Sequence, residues 1–425
     1  MSFNFYKTTI GEQVTLQRGF DITKKDQVEG NIPVVSSGGI SSYHNEAKVS
    51  GPGVVLGRKG SLGTVFYIDG PYWPHDTTLW VKDFKNNNPI FIYYFFKNIS
   101  QLLKDMDVGA ANPALNRNHV HPLEILWPNR KTQDHIAGIL ASLDAKINNN
   151  TKVNKTLEQM AQALFKSWFV DFEPVKAKIA VLEAGGSQED ATLVAMTAIS
   201  GKNADSLVVF EREQPEQYAE LKATAELFPS AMQESELGDI PAGWSSQRMS
   251  NIATLHYGKA LKKTERIDGP YPVYGSGGIT GSHDAYLVEG PGIIVGRKGS
   301  IGTIYWEDGK FHPIDTVYYV TTKEEIPLSY LYYLMKTLNL PSMNTDAAVP
   351  GLNRDNVYRL EVLKPTQSIL NRFDNHIATI RNGIQKNNNT IVSLVGLRDT
   401  LLPKLLSGEI PLPKTEEIAK EADYV

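Results

Sequence analysis

Two stretches of this chain carry apolar residues at alternating steps of four and three without a break. Ile136, Leu140, Leu143, Ile147, Asn150, Asn154, Leu157, Ala161, Leu164 and Trp168 form the first row. Phe373, Ile377, Ile380, Ile384, Asn387, Ile391, Leu394, Arg398, Leu401 and Leu405 form the second. Such spacing, sustained over about four heptads, predicts long coiled-coil helices. Asn150 and Asn387 sit at equivalent places in the two seams. A polar residue in an apolar seam costs stability but penalises wrong registers, so the two helices are expected to pair with each other. The alternative is two amphipathic helices, each lying on its own domain. Pro403 is expected to interrupt the second helix, and Ser407-Gly408 to stop it.

Ahead of each long helix the pattern changes to short apolar runs punctuated by Gly, Pro and Asp. Val54-Val55-Leu56, Thr64 to Ile68 and Leu79-Trp80-Val81 read as strands, as do Ile293-Ile294-Val295, Thr303 to Trp306 and Val317 to Val320. Asp69-Gly70 and Asp308-Gly309 mark turns. A helix is expected from Pro89 to about Lys104 and another from Pro327 to about Leu338, each opening with Pro near the first turn. Their aromatics, Tyr93 to Phe96 and Tyr330, Tyr332 and Tyr333, are expected to pack in a core rather than offer a stacking platform.

These two regions are copies of one another. Gly57-Arg58-Lys59-Gly60-Ser61-Leu62-Gly63-Thr64 returns as residues 296–303 with Leu changed to Ile. Pro33-Val34 and Ser37-Gly38-Gly39-Ile40 return as Pro272-Val273 and Ser276-Gly277-Gly278-Ile279, Asp76-Thr77 as Asp315-Thr316, and Leu115-Asn116-Arg117 as Leu352-Asn353-Arg354. A period this long makes each copy a whole domain, and two similar surfaces suggest a bipartite partner. The expected organisation is a first domain at 1–130, a spacer helix at 131–173, an acidic connecting segment at 174–240, a second domain at 241–365, a second spacer helix at 366–408 and a charged tail at 409–425. Within the connecting segment, short helices are expected at about 188–199 and 215–228.

Composition narrows the class. The chain has 425 residues, enough for several separate cores, and no Cys, which excludes disulfides, thiolate catalysis and Cys-based zinc sites. No run approaches the ~18 apolar residues of a membrane span, and the first residues lack a signal-peptide pattern. A cytoplasmic protein is expected. The net charge of −4 is unevenly spread. The two domains are slightly basic, whereas the segment between them carries a charge of about −7. A local basic loop can therefore meet nucleic acid despite the acidic total.

The candidate chemistry lies in the repeated loop. Flanking glycines, exposed amides, Arg58 and Lys59, or Arg297 and Lys298, together with Ser61 or Ser300, suit phosphate oxygens. A plain turn with two solvated cations is the other reading. Ser36 and Ser37, and Ser276 in the second copy, are candidates to line the same DNA-facing edge. Residues identical in both copies cannot distinguish two base sequences, so they should position the backbone. Base readout is expected where the copies diverge: Phe20–Asn31 against Lys259–Gly269, Ser41–Ser50 against Thr280–Glu289, and Lys85–Gly109 against Lys323–Asp346. No catalytic or metal-ligating constellation emerges. The loop is not a nucleotide triphosphate motif, Asn112-Pro113-Ala114 lacks the aromatic of an adenine methyltransferase motif, and Asp76 and Asp315 read as turn caps rather than nuclease ligands.

The chain resembles the DNA specificity subunits of type I restriction–modification systems. The resemblance rests on Leu237-Gly-Asp-Ile-Pro-Ala-Gly-Trp244, Tyr271-Pro-Val-Tyr-Gly-Ser-Gly-Gly278, the paired Gly-Arg-Lys-Gly-Ser loops, Trp168-Phe-Val-Asp-Phe-Glu-Pro174 and Leu401-Leu-Pro-Lys-Leu-Leu-Ser-Gly-Glu-Ile410. The first copy lacks the Leu-Gly-x-Ile-Pro-x-Gly-Trp entrance. The resemblance implies an α+β fold: two similar mixed α/β target recognition domains separated by a long antiparallel two-helix coiled coil. Each domain would read half of a bipartite, gapped site on double-stranded DNA. Two modification (methyltransferase) subunits would dock on the helices, and restriction subunits would complete the complex. S-adenosylmethionine, ATP and Mg would belong to those partners, leaving this chain without a cofactor or catalysis of its own. Helices of roughly 40 residues at ~1.5 Å each would hold two heads one to one and a half DNA turns apart, at ~34–36 Å per turn. The competing reading is a self-sufficient, duplicated-domain enzyme that modifies or cleaves DNA.

Overall fold

The computed structural model describes residues 5–106, 114–343 and 351–410. It divides into two units: residues 1–151 with 388–425, and residues 152–387. The tail from 411, Asn112, Pro113 and the ends of two divergent segments (107–109 and 344–346) lie outside the described residues.

The first unit opens with β1 (Phe5–Thr9), α1 (Ile10–Gln13), β2 (Thr15–Arg18), β3 (Ile32–Ser36), β4 (Gly39–His44), β5 (Gly53–Gly57), β6 (Val65–Ile68), β7 (Trp73–Pro74) and β8 (Thr78–Asp83). Then come α2 (Pro89–Asn98), α3 (Ser100–Asp105), α4 (Arg117–Val120), β9 (Glu124–Pro128) and the long α5 (Arg130–Phe169). A four-stranded sheet runs β2-β8-β5-β6, a three-stranded sheet runs β4-β3-β7, and β1 pairs with β9. The central β5 is apolar and buried throughout, because both its faces are covered.

The second unit contains α6 (Glu173–Glu183), α7 (Gln188–Ser200), α8 (Ala204–Glu213), α9 (Pro215–Leu227), β10 (Met232–Gln233) and β11 (Ile240–Pro241). Its sheets are built from β12 (Ser245–Arg248), β13 (Ala253–Tyr257), β14 (Tyr271–Gly275), β15 (Gly278–His283), β16 (Gly292–Gly296), β17 (Ile304–Glu307), β18 (His312–Pro313), β19 (Val317–Thr322) and β20 (Glu361–Lys364). Short α10 (Met249–Ile252), α11 (Leu328–Thr337) and α12 (Arg354–Tyr358) precede the long α13 (Gln367–Ser407). The strand orders β13-β19-β16-β17 and β15-β14-β18, with the β12-β20 pair, repeat those of the first unit. The register repeats too: Val55 faces Trp80 as Ile294 faces Tyr319.

Every residue of the two heptad rows is buried or half-buried. Within the second unit, Asn387 Nδ2 donates to Asn154 Oδ1 at 2.9 Å, Glu158 pairs with Arg381 at 3.4 Å, and Phe165 meets Phe373 at 5.7 Å between ring centroids. As numbers rise along α5 they fall along α13, so the helices run antiparallel. The first unit shows the same sense, with Arg398 on Asp144 and with Leu402 and Leu405 in one core with Ile136 and Leu140. Asn387 therefore meets Asn154, one seam step beyond the Asn150 that occupies its equivalent place.

Two expectations need correction, and two are met with added detail. Helix α13 continues through Pro403 to Ser407, because Leu402, Leu405 and Leu406 are all buried in the first unit's core and hold the last turns in place. The expected 89–104 helix is two, broken at Ile99. Pro327, expected near the first turn, is the N-cap of α11. The connecting segment holds four helices, with α6 and α8 added to the expected pair. Helices α7, α8 and α9 pack around Ala195, Met196, Leu207 and Ala225, whereas α6 buries Val175 in the second unit's larger core. The buried Lys178 ammonium closes the end of α9, donating to the carbonyls of Ala225 (3.2 Å) and Phe228 (2.6 Å). Among the described residues, no helix is long and apolar enough to cross a membrane.

Candidate nucleic-acid interface

The repeated Gly-Arg-Lys-Gly-Ser loop joins β5 to β6, and its copy joins β16 to β17. Its backbone closes on itself. Gly57 N donates to Thr64 O at 2.8 Å and Gly63 N to Gly57 O at 3.1 Å; in the second unit Gly296 N and Gly302 N do the same at 2.8 Å each. The amides of Arg58 and Lys59 both donate to Thr77 O (2.9 and 3.0 Å), and those of Arg297 and Lys298 to Thr316 O (2.9 and 3.1 Å). These amides are therefore consumed inside the protein, contrary to the expectation that they face a ligand.

The glycines serve the same closure. A Cβ on Gly57 would stand 2.0 Å from Ser61 O, and one on Gly296 would stand 2.1 Å from Ser300 O. Gly63 and Gly302, at φ +69° and +67°, lie against the backbone that follows α2 and α11. The backbone approaches another part of the same chain, which only a residue without a side chain permits.

What remains outward is side chain. Lys59, Ser61, Lys298 and Ser300 are exposed, while Arg58 and Arg297 are half-buried. Arg58 Nη1 reaches the carbonyl of Asp76 at 3.4 Å, and Arg297 Nη1 that of Asp315 at 3.2 Å. The loop is tied to the neighbouring hairpin by Thr64 Oγ1, a donor shared between Ser37 O (2.6 Å) and Ser61 O (3.0 Å); Thr303 makes the same pair of contacts to Ser276 O and Ser300 O at the same distances. Ser37 itself is buried, and Ser36 Oγ donates to Gly39 O at 3.1 Å. These serines shape the hairpin edge, with Ser36 and Ser276 half-buried.

Beside the loop lies a position that the divergent segments narrowly missed. Arg18 ends β2 and Tyr257 ends β13, and each faces its equivalent neighbour, Leu79 or Tyr318. Arg18 Nη2 binds Asp76 Oδ2 at 2.9 Å and Asp21 Oδ1 at 3.3 Å. Tyr257 instead has the Arg297 and Arg354 guanidiniums over its ring, 4.8 and 5.1 Å from its centroid. Asp76 is thus an ion-pair partner, with His75 Nδ1 3.1 Å from its other oxygen, rather than a turn cap. The signal was present in the sequence: the repeat offset sets Arg18 opposite Tyr257.

Other candidates resolve into core. Phe91, Tyr94, Phe95 and Phe96 on α2, and Tyr330, Tyr332 and Tyr333 on α11, are buried. Burial pushes the Tyr333 hydroxyl well above its ordinary pKa, and near Glu158 it is held neutral. Burial also pushes Glu158 up, but hydrogen bonds from Lys336 and Gln162 and the charge of Arg381 more than offset this, and its carboxyl titrates below the usual range. The motif residues Trp168, Phe169 and Trp244 are buried in the second unit's core, where Phe169 and Trp244 lie 5.8 Å apart. Among the described residues, no three His, Asp or Glu side chains gather as a metal site.

Two copies of one mixed-sheet module, each finished by halves of two long paired helices, define a tandem-domain protein. The family model described as "Type I restriction modification DNA specificity domain" matches residues 5–159 and 241–391. The HindI specificity subunit of Haemophilus influenzae is 32% identical over 327 residues, covering 70% of this chain and 71% of that protein. The MjaIX specificity subunit of Methanocaldococcus jannaschii is 25% identical over 329 residues, covering 75% and 68%. The crystal structure of a type I restriction–modification S subunit from M. genitalium shares the fold, with a TM-score of 0.55 at 18% identity and coverage of 95% and 96%. This chain belongs to the type I restriction–modification DNA specificity family.

Proposed function

We propose that residues 1–130 and 241–365 are two target recognition domains, each laying its loop and hairpin on one half of a bipartite, gapped DNA site. Arg58, Lys59 and Ser61, with Arg297, Lys298 and Ser300, contact the phosphate backbone; Ser36 and Ser276 border the contact. The observation that carries this reading is the duplicated loop, whose internal hydrogen bonds agree between the units within 0.3 Å, with an exposed lysine beside a half-buried arginine in both. Identical side chains on identical frames position two half-sites alike, without telling them apart.

The paired helices set the gap and carry the docking surface for modification subunits, with restriction subunits joining in the cytoplasm. The relatives named above as specificity subunits of type I restriction enzymes support membership of such a complex. S-adenosylmethionine, ATP and Mg are assigned to those partners, and this chain contributes recognition rather than catalysis. The test is binding of the full-length chain to random-sequence duplex across a salt series. Each neutralised phosphate contributes about −0.9 to the slope of log K against log salt. Replacing Arg58 and Lys59 together by Ala should flatten the slope by about two such contributions and weaken all sequences equally. An unchanged slope contradicts the assignment.

A further inference from the structure

We infer that positions 18 and 257 are equivalent specificity-determining positions: Arg18 selects a guanine in the half-site read by the first unit, and Tyr257 gives the second unit a different preference. This rests on the DNA-reading assignment above and goes further, from the backbone contacts to individual base-reading side chains.

The two positions share a frame. Each ends the edge strand of its four-stranded sheet, and each residue is exposed. The charged neighbours also repeat: Arg58 and Arg297 on the loop, Asp76 and Asp315 beneath it, Arg117 and Arg354 after the Leu-Asn pair. Within this constant setting, the side chain at the strand end changes from a guanidinium to a phenol. Backbone contacts should recur in both domains, since phosphates are alike at both half-sites. Base contacts should change, because the bases do.

The chemistry separates base from phosphate at Arg18. Its charge is already met by Asp76 at 2.9 Å, and a carboxylate so close repels a phosphate. What the pair keeps is hydrogen-bonding capacity. Asp76 and Asp21 both bind Nη2, so Nε and Nη1 have no hydrogen-bond partner among the described residues. Asp21 is 82% exposed and easily displaced. With Asp21 displaced, the freed Nη2–H and its neighbour on Nη1 or Nε form a planar fork that suits the adjacent O6 and N7 acceptors that guanine presents in the major groove. Tyr257 lacks such a fork. Two guanidiniums over its ring hold it by cation–π attraction, and its one hydroxyl, already in hydrogen-bonding contact with Tyr318, offers at most a single donor or acceptor.

The experiment is selection of bound duplexes from a randomised library by the full-length chain and its variants, with affinity and salt slope measured in parallel. Arg18→Gln should reduce guanine discrimination at one position of one half-site by about 5- to 150-fold. The other half-site and the slope on random duplex should be unchanged. Arg18→Lys, which keeps the charge and loses the planar fork, should do the same and guards against a folding effect. Tyr257→Arg, which places a guanidinium in the frame of Asp315, should bring a guanine preference into the other half-site. Uniformly weaker binding with the same selected sequence would overturn the inference and make Arg18 a backbone contact. Unaltered selection and affinity would make the Arg18–Asp76 pair a surface ion pair and also overturn it. In both cases the DNA-reading assignment survives; if the unaltered chain enriches no sequence, that assignment falls and the inference falls with it.

Discussion

Arg398 Nη1 lies 2.7 Å from Asp144 Oδ1, so a residue near the end of α13 is clamped to one in the first half of α5 within the first unit. Tyr94 of α2 donates to the other oxygen of the same carboxylate at 2.7 Å, joining the sheet module to the helix pair at one point. Charge-assisted hydrogen bonds contribute about 1.5–3 kcal/mol each when partly buried. Asp144→Ala removes both bonds and should therefore destabilise the protein in urea unfolding by about 3–6 kcal/mol, less any coupling between the two. A double-mutant cycle with Arg398→Ala should give a coupling of about 0.5–3 kcal/mol. A coupling indistinguishable from zero would mean that the pair does not fasten the helices.

The loop glycines make a sharper structural prediction. Gly57→Ala puts a methyl 2.0 Å from Ser61 O, where only backbone movement relieves the clash. A loss of about 1–3 kcal/mol is expected, with a parallel loss of DNA affinity because the loop carries Arg58 and Lys59. Gly70→Ala, with nothing within 4 Å, should stay within about 0.5 kcal/mol of the parent. Equal stability of the two variants in chemical denaturation would contradict the closed loop.

Four histidines give the pH dependence a direction. Burial holds His121, His256, His312 and His376 below the ordinary imidazole pKa, with neighbouring arginines adding to the effect at His121 and His256. His121 Nε2 accepts the amide of Leu16 at 3.0 Å, a contact that requires the neutral ring. In the unfolded chain these rings take up protons at higher pH than in the fold. Stability should thus be full above the ordinary imidazole value of ~6.5 and fall as pH drops below it. Unfolding midpoints at pH 7.5 and 5.5 test this, and His121→Asn should shrink the difference. A midpoint that rises on acidification would contradict it.

Much of this architecture is legible in the chain because its periods are strong. The heptad rows announce α5 and α13, and the repeated loops announce two like domains, since both depend on local spacing. What escaped depends on distant partners. Pro403 is tolerated inside α13 because Leu402, Leu405 and Leu406 are buried in a core formed by residues far away in sequence. The loop glycines look like ligand-facing residues until Ser61 O and the α2–α3 backbone are seen against them. Arg18 and Tyr257 precede the segments whose divergence is obvious, and their importance rests on Asp76, Arg297 and Arg354, which the fold brings beside them.

The most direct test of two separate reading heads is exchange of residues 1–130 for the corresponding domain of another family member, followed by selection of bound duplexes from a randomised library. One half of the selected site should change to the donor's sequence, while the other half and the spacing between them persist. A change in both halves, or in neither, would contradict the account.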